Sequence, residues 1–154
     1  MITSWRITTA RYRDNAFDGE GTRLYGGRWN SRGKRIVYIA SSAALAALEL
    51  LVRMGPGKSL TDYVLFACSF EESLAEEVDR KQLPPNWRRT PPPHELRRVG
   101  DVWVDRGSSA VLRVPSAVIE TEDNYLLNPE HVDFPKIEIR DPVHFSLDLR
   151  LLRR

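Results

Sequence analysis

Cysteine occurs once in these 154 residues, histidine three times and methionine twice. Each scarcity excludes something. A single cysteine cannot form a disulfide within the chain, so the fold must be held by burial, which a chain of this length can supply. Cys68 sits in the apolar run Tyr63-Val64-Leu65-Phe66-Ala67-Cys68 and reads as a small core residue. His94, His131 and His144 lack ligand spacing, so no metal site is expected. Charge of one sign is missing too: 23 basic against 21 acidic residues leave a net charge of +2. No nucleic-acid groove is implied, and Arg150, Arg153 and Arg154 read as a solvated tail. No run reaches membrane-spanning length, and Met1-Ile2-Thr3-Ser4-Trp5-Arg6 has no signal-peptide core. One domain over 1–154, in the cytoplasm, is the expectation. The glycines form neither a dinucleotide fingerprint nor a phosphate loop with lysine, and no nucleophile elbow surrounds a serine.

What is present is a series of short elements. Ile36 to Ala40 is β-branched and aromatic behind the turn residues Arg32-Gly33-Lys34-Arg35, and reads as a buried strand. Ser41 or Ser42 can cap a helix from Ala43 to Val52, with Gly55-Pro56-Gly57 as its stop. Tyr63 to Phe70 is the next strand. Glu71 to Asp79 reads as a loop with a helical turn, and the Pro84–Pro93 region as an irregular connection. His94 to Val99 is expected to be a short helix stopped by Gly100. Ala110–Val114 and Ser116–Ile119 read as strand interrupted at Pro115, and Lys136–Arg140 and His144–Leu149 alternate like half-buried strands. Strands outnumber helices without regular alternation. The expected class is α+β, a compact mixed β-sheet with flanking helices.

Two charged residues are the hardest to explain by packing. Glu49 falls beside Leu45 and Val52, at the margin of the inward face of its helix. A carboxylate there loses water, at a cost of several kcal/mol unless it is paired or hydrogen-bonded. Arg28 follows Gly26-Gly27, where the backbone can turn sharply, and its planar fork suits a phosphate. A salt bridge between Arg28 and Glu49 would account for both. Trp29 and Tyr38 have core packing as their ordinary role, and Ser108, Ser109 and Ser116 have local hydrogen bonding.

Taken in order, Gly26-Gly27-Arg28-Trp29-Asn30, Tyr38-Ile39-Ala40, Ala46-Ala47-Leu48-Glu49, Val114-Pro115-Ser116 and Asn124-Tyr125-Leu126-Leu127-Asn128-Pro129 resemble the RES domain, a family named for an arginine, a glutamate and a serine. The resemblance runs from about Trp5 to Phe134. It implies an ADP-ribosyltransferase-like core and a bacterial toxin that depletes NAD by cleaving its nicotinamide N-glycosidic bond, with water or phosphate as acceptor. Modification of a protein target and a non-enzymatic binding module are the alternatives. Carried over, the family residues are Arg28, Tyr38 and Glu49, with Ser109 preferred over its neighbour Ser116 as the serine. Arg28 would hold the pyrophosphate, Tyr38 would stack on nicotinamide, and Trp29, Ser109, Ser116 and Asn128 would help bind substrate. No cofactor is implied beyond NAD as substrate. The implied partner is an Xre-like helix-turn-helix antitoxin in a hetero-oligomer, through which alone DNA would be contacted. Such a site requires one pocket between sheet and helix lined by Arg28, Tyr38, Glu49 and Ser109.

Overall fold

Alternation along the strands divides the molecule into two cores. A computed structural model describes residues 1–55 and 61–152. Its strands are β1 (Ile2–Thr9), β2 (Val37–Ala40), β3 (Tyr63–Phe70), β4 (Ala75–Glu77), β5 (Val111–Pro115), β6 (Asp123–Leu127), β7 (Glu138–Ile139) and β8 (Val143–Phe145). They form one sheet in the order β4-β5-β6-β2-β1-β3-β7, with β8 also paired to β3. The β4–β5 pair is parallel and the others are antiparallel. The class is α+β with a mixed sheet, as the sequence indicates.

Because side chains alternate between faces, Val37, Ile39, Tyr125 and Leu127 join Cys68, Phe70 and Val111 in one core. Tyr38, Leu112, Val114 and Leu126 turn to the other face, against Trp29, Leu96 and Trp103. Two helices cover that second face. In α2 (Ala43–Arg53), the Ser42 hydroxyl accepts the Leu45 N–H at 3.0 Å, capping the first turn. Its buried residues Leu45 and Ala46 pack against Ile7, Ala40 and Tyr63. Burying a leucine so fully contributes about 2 kcal/mol. A short α1 (Glu20–Tyr25) leads into the Gly26-Gly27 turn.

One seam in the sheet is nearly open. β1 pairs with β3 from Ile2↔Phe70 to Thr9↔Tyr63, yet meets β2 only at Trp5↔Ala40. Where the ladder lapses, the Arg6 side chain supplies donors: Nε to Ala16 O at 2.8 Å and Nη1 to Tyr38 O at 3.0 Å.

Several sequence expectations need correction. The helix from His94 does not stop at Gly100; α3 runs from His94 to Arg106 and ends on Gly107 in the left-handed conformation. Gly100 serves close packing instead. Its N–H donates to Trp29 O at 2.9 Å, and a Cβ there would lie 2.1 Å from that oxygen. The stretch after Pro115 is a turn rather than a strand, and the segment expected to be a loop contains β4. The two C-terminal strands shorten to β7 and β8. The α2 helix ends at Arg53, whereas Pro56, Gly57, Arg153 and Arg154 lie outside the described residues.

Candidate active site

Glu49 is half-buried on α2 and faces the sheet. Its Oε1 accepts the Ser116 hydroxyl at 2.7 Å and the Asn124 amide Nδ2 at 3.0 Å. No ion pair among the described residues includes it. The carboxylate is therefore oriented by neutral donors and keeps its charge uncompensated by a direct partner. Its second oxygen carries none of these bonds.

Ser116 is built for this task. It is fully buried, at the point where β5 leaves the sheet after Pro115. Its Oγ accepts the N–H groups of Val118 and Ile119, both at 3.1 Å. With the lone pairs so engaged, the hydroxyl proton is directed at Glu49. Asn124 lies across the β5–β6 ladder from Val114 and across the β2–β6 ladder from Ala40. Its Oδ1 is buried without a hydrogen-bond partner. The reverse amide orientation would set two acceptors face to face at Glu49, so one unmet acceptor, at about 1–3 kcal/mol, is the smaller penalty.

Across from Glu49, the turn bearing Arg28 is locked by Tyr38. The Tyr38 hydroxyl donates to Asn30 Oδ1 and accepts the Trp29 N–H at 3.1 Å. Burial drives the Tyr38 phenol well above its ordinary range, a rise tempered by the Trp29 N–H and by the Arg28 and Arg53 charges. Gly27 makes this contact possible, since a Cβ there would fall 2.5 Å from the Tyr38 hydroxyl. Tyr38 thus shares a side of the sheet with Arg28 and Glu49, while Val37 and Ile39 face away. Its hydroxyl is spent on the turn.

The Arg28 guanidinium faces a protein segment. Nη1 donates to Trp87 O at 3.1 Å and Arg89 O at 2.7 Å, and Nη2 to Thr90 Oγ1 at 2.9 Å. The irregular proline-rich connection is thereby fastened beside the turn. Burial lowers the Arg28 pKa, opposed by Glu49 and Tyr38, which are near enough to act on it. Arg28, Tyr38 and Glu49 are brought together, but Arg28 and Glu49 are not an ion pair. A concavity of about 500 Å³ opens between Arg80, Leu83, Trp87, Pro115, Glu120 and Thr121, and its lining includes none of Arg28, Tyr38, Glu49 and Ser109, the four residues expected to share one pocket.

Three expected site residues sit elsewhere. Ser109 is buried at the opposite end of β5, seven residues and roughly 20 Å of strand from Ser116. Its Oγ accepts Trp103 Nε1 at 2.8 Å and donates to Val111 O at 2.9 Å, a packing role beneath α3. Asn128 is likewise at the far end of β6, where its Oδ1 accepts the Glu130 N–H at 3.0 Å to shape a turn. Trp29 is 2% exposed, so its ring belongs to the core under α3 rather than to an open cleft. Sequence reasoning missed Asn124 as a contact of Glu49. The usable signal was its parity with Leu126 on a strand whose even positions face the helices.

Among the described residues, no group of three or more His, Cys, Asp and Glu side chains could hold a metal ion, and no helix is long and apolar enough to cross a membrane.

Comparison with known proteins matches the RES domain family to residues 3–148. The chain is 38% identical over 148 residues to "Toxin Res" of Yersinia enterocolitica, covering 96% of this chain and 97% of that protein. It is also 38% identical over 160 residues to the "Prs ADP-ribosylating toxin" of a Sphingobium species, covering 100% of this chain and 99% of that one. Among solved structures, a chain of the M. tuberculosis MbcT–MbcA toxin–antitoxin complex shares the fold, with a TM-score of 0.76 at 20% identity. The alignment covers 94% of this chain and 84% of that chain.

Proposed function

The chain belongs to the RES domain family, and from that membership we propose that it is a toxin that consumes NAD by cleaving the nicotinamide N-glycosidic bond. The observation carrying this reading is the Glu49 carboxylate. It is aimed by Ser116 and Asn124, lies close to Arg28, and takes part in no ion pair among the described residues.

The chemistry follows from that charge. As the bond breaks, its electron pair leaves with the nicotinamide nitrogen, which becomes neutral, and positive charge develops at the ribose C1′ and ring oxygen. A fixed carboxylate beside that centre stabilises the transition state more than the ground state, and its unbonded oxygen can accept from a ribose hydroxyl. Ser116 and Asn124 act by preventing rotation of the carboxylate, so no reorganisation is needed as charge develops. Tyr38 acts by locking the turn that bears Arg28, and Arg28 by fastening the 87–90 segment beside that turn. The acceptor, water or phosphate, adds through oxygen at C1′ and gives up a proton to solvent.

Transfer of ADP-ribose to a protein nucleophile uses the same first step and is the second reading, favoured by the likeness to the ADP-ribosylating toxin of Sphingobium. Incubation of the purified chain with adenine-labelled NAD tests both. Free nicotinamide with label in ADP-ribose or its 1-phosphate supports NAD consumption, whereas label retained on protein supports transfer. Release of no nicotinamide would refute both, and full toxicity of Glu49→Ala would leave a non-enzymatic binding module.

A cognate partner belongs to the proposal. An enzyme that empties the NAD pool would act in the cytoplasm and must be restrained, and the fold neighbour was solved as a toxin–antitoxin complex. We infer an Xre-like helix-turn-helix antitoxin encoded beside this chain, with DNA contacted only through it. Co-purification of the two gene products, and rescue of growth by the second, test that partnership.

A further inference from the structure

Three arginines lie near enough to Tyr38 or its carbonyl to act on it. Arg6, Arg28 and Arg53 take part in none of the ion pairs among the described residues. Among the described residues, Arg6 and Arg53 bond only to backbone carbonyls, and Arg28 to two carbonyls and a hydroxyl. Arg6 holds the Tyr38 carbonyl, Arg28 sits in the turn that the Tyr38 hydroxyl locks, and Arg53 lies one helical turn beyond Glu49. The group is electrostatically connected. Arg28 and Arg53 both act on the Tyr38 hydroxyl, and burial together with Arg53 lowers the Arg6 pKa to about 10. Glu49 acts on Arg28 and Asp18 on Arg6, but neither forms an ion pair with its arginine, and with Arg53 added the gathered positive charge suits an anion supplied from outside.

Arg53 is the member free to bind it. Arg28 has committed both terminal nitrogens to the 87–90 segment, and Arg6 is wedged in the seam of the sheet. Arg53 is exposed, and its Nε donates to the Glu49 carbonyl at 3.2 Å, fixing the stem while Nη1 and Nη2 remain unbonded among the described residues. That pair of nitrogens is the edge of a guanidinium that meets phosphoryl oxygens in pairs. Position i+4 puts it on the face of α2 that bears Glu49, about 6 Å further along the axis. The offset is comparable with the reach from a ribose C1′ to its 5′-phosphate.

We propose that Arg53 binds the diphosphate of the dinucleotide, one helical turn from the carboxylate at C1′, with Arg28 and Arg6 supplying supporting positive charge. This rests on the NAD-consuming reading above and moves the main phosphate contact from Arg28 to Arg53. The ordinary role of arginine in a last helical turn, complementing the helix dipole, requires only the Nε contact.

The test measures KM for NAD, inhibition by ADP-ribose and product inhibition by nicotinamide, in the full chain and in Arg53→Ala and Arg53→Lys. Nicotinamide carries no phosphate and reports on the intact remainder of the site. Arg53→Ala should raise the NAD KM and the ADP-ribose inhibition constant together by about 10- to 100-fold, with the nicotinamide constant unchanged. Arg53→Lys should recover part of the loss. Unchanged KM, an equal shift in the nicotinamide constant, or a shift confined to dependence on added orthophosphate would each overturn the assignment. Absence of NAD turnover by the unsubstituted chain would instead strike the underlying reading.

Discussion

The two ends of β5 present the same functional group to opposite purposes. At one end, Ser109 is closed in beneath Trp103, its hydroxyl satisfied by an indole and a backbone carbonyl. At the other, Ser116 accepts two backbone N–H groups and turns its proton outward to a charged carboxylate on a helix. Both are buried serines at the boundary of one strand. What separates them is the covering element. The α3 end brings apolar rings and closes over the sheet, whereas the α2 end brings Glu49 beside a sheet seam that is only partly zipped. Burial alone therefore does not separate the two serines, and the identity of the acceptor does.

Substitutions can break or sharpen this contrast. The largest effect is expected for Glu49→Gln, which keeps the shape but removes the charge matched to the developing cation. Nicotinamide release should fall about 100- to 1,000-fold with little change in KM, and steady-state kinetics would show it. Near-normal turnover would remove the charged end of the comparison.

Gly100→Ala tests whether the α3 end is as rigid as its packing indicates. A methyl group at that position must displace the Trp29 carbonyl, so unfolding free energy should drop by about 2–4 kcal/mol. Activity should fall with it, because Trp29 adjoins Arg28. Denaturant titration of the variant would reveal a tolerant interface if stability were unchanged.

Ser116→Ala should lower turnover about 10- to 100-fold by leaving the carboxylate free to rotate, and it also orphans two backbone donors. Turnover compared at equal folded fraction separates these effects. Ser109→Ala is expected to do the least to chemistry. It should cost about 1–2 kcal/mol of stability through the lost Trp103 and Val111 contacts and leave kcat within about threefold. Loss of turnover in Ser109→Ala with retention in Ser116→Ala would reverse the assignment of the two ends.

Local chemistry made some of this legible. The capped α2 helix, the strand at Tyr63–Phe70 and the face alternation around Tyr38 follow from residue type and period, which neighbouring residues decide. The stop expected at Gly100 failed because glycine has two uses, ending a helix or admitting another backbone, and only the partner segment distinguishes them. Ser109 and Ser116 pose the same kind of ambiguity: along the chain, two serines flanking one strand look alike, and only the fold shows that Ser116 meets Glu49. Asn124 escaped notice because its relation to Glu49 spans 75 residues.

By itself, the sequence determined an α+β chain without disulfides, and its ordered motifs identified Arg28, Tyr38 and Glu49 as residues to account for. Those features are local or compositional, so one strand of text carries them. The tertiary structure decided which hydroxyl and which amide reach Glu49, that Arg28 fastens a loop rather than pairing with Glu49, and that Arg53 stands one turn from the carboxylate. Each depends on the register of β5 and β6 and on how α2 and α3 lie across the sheet. Such distances are set by long-range packing, where a one-residue slip would turn every side chain to the other face.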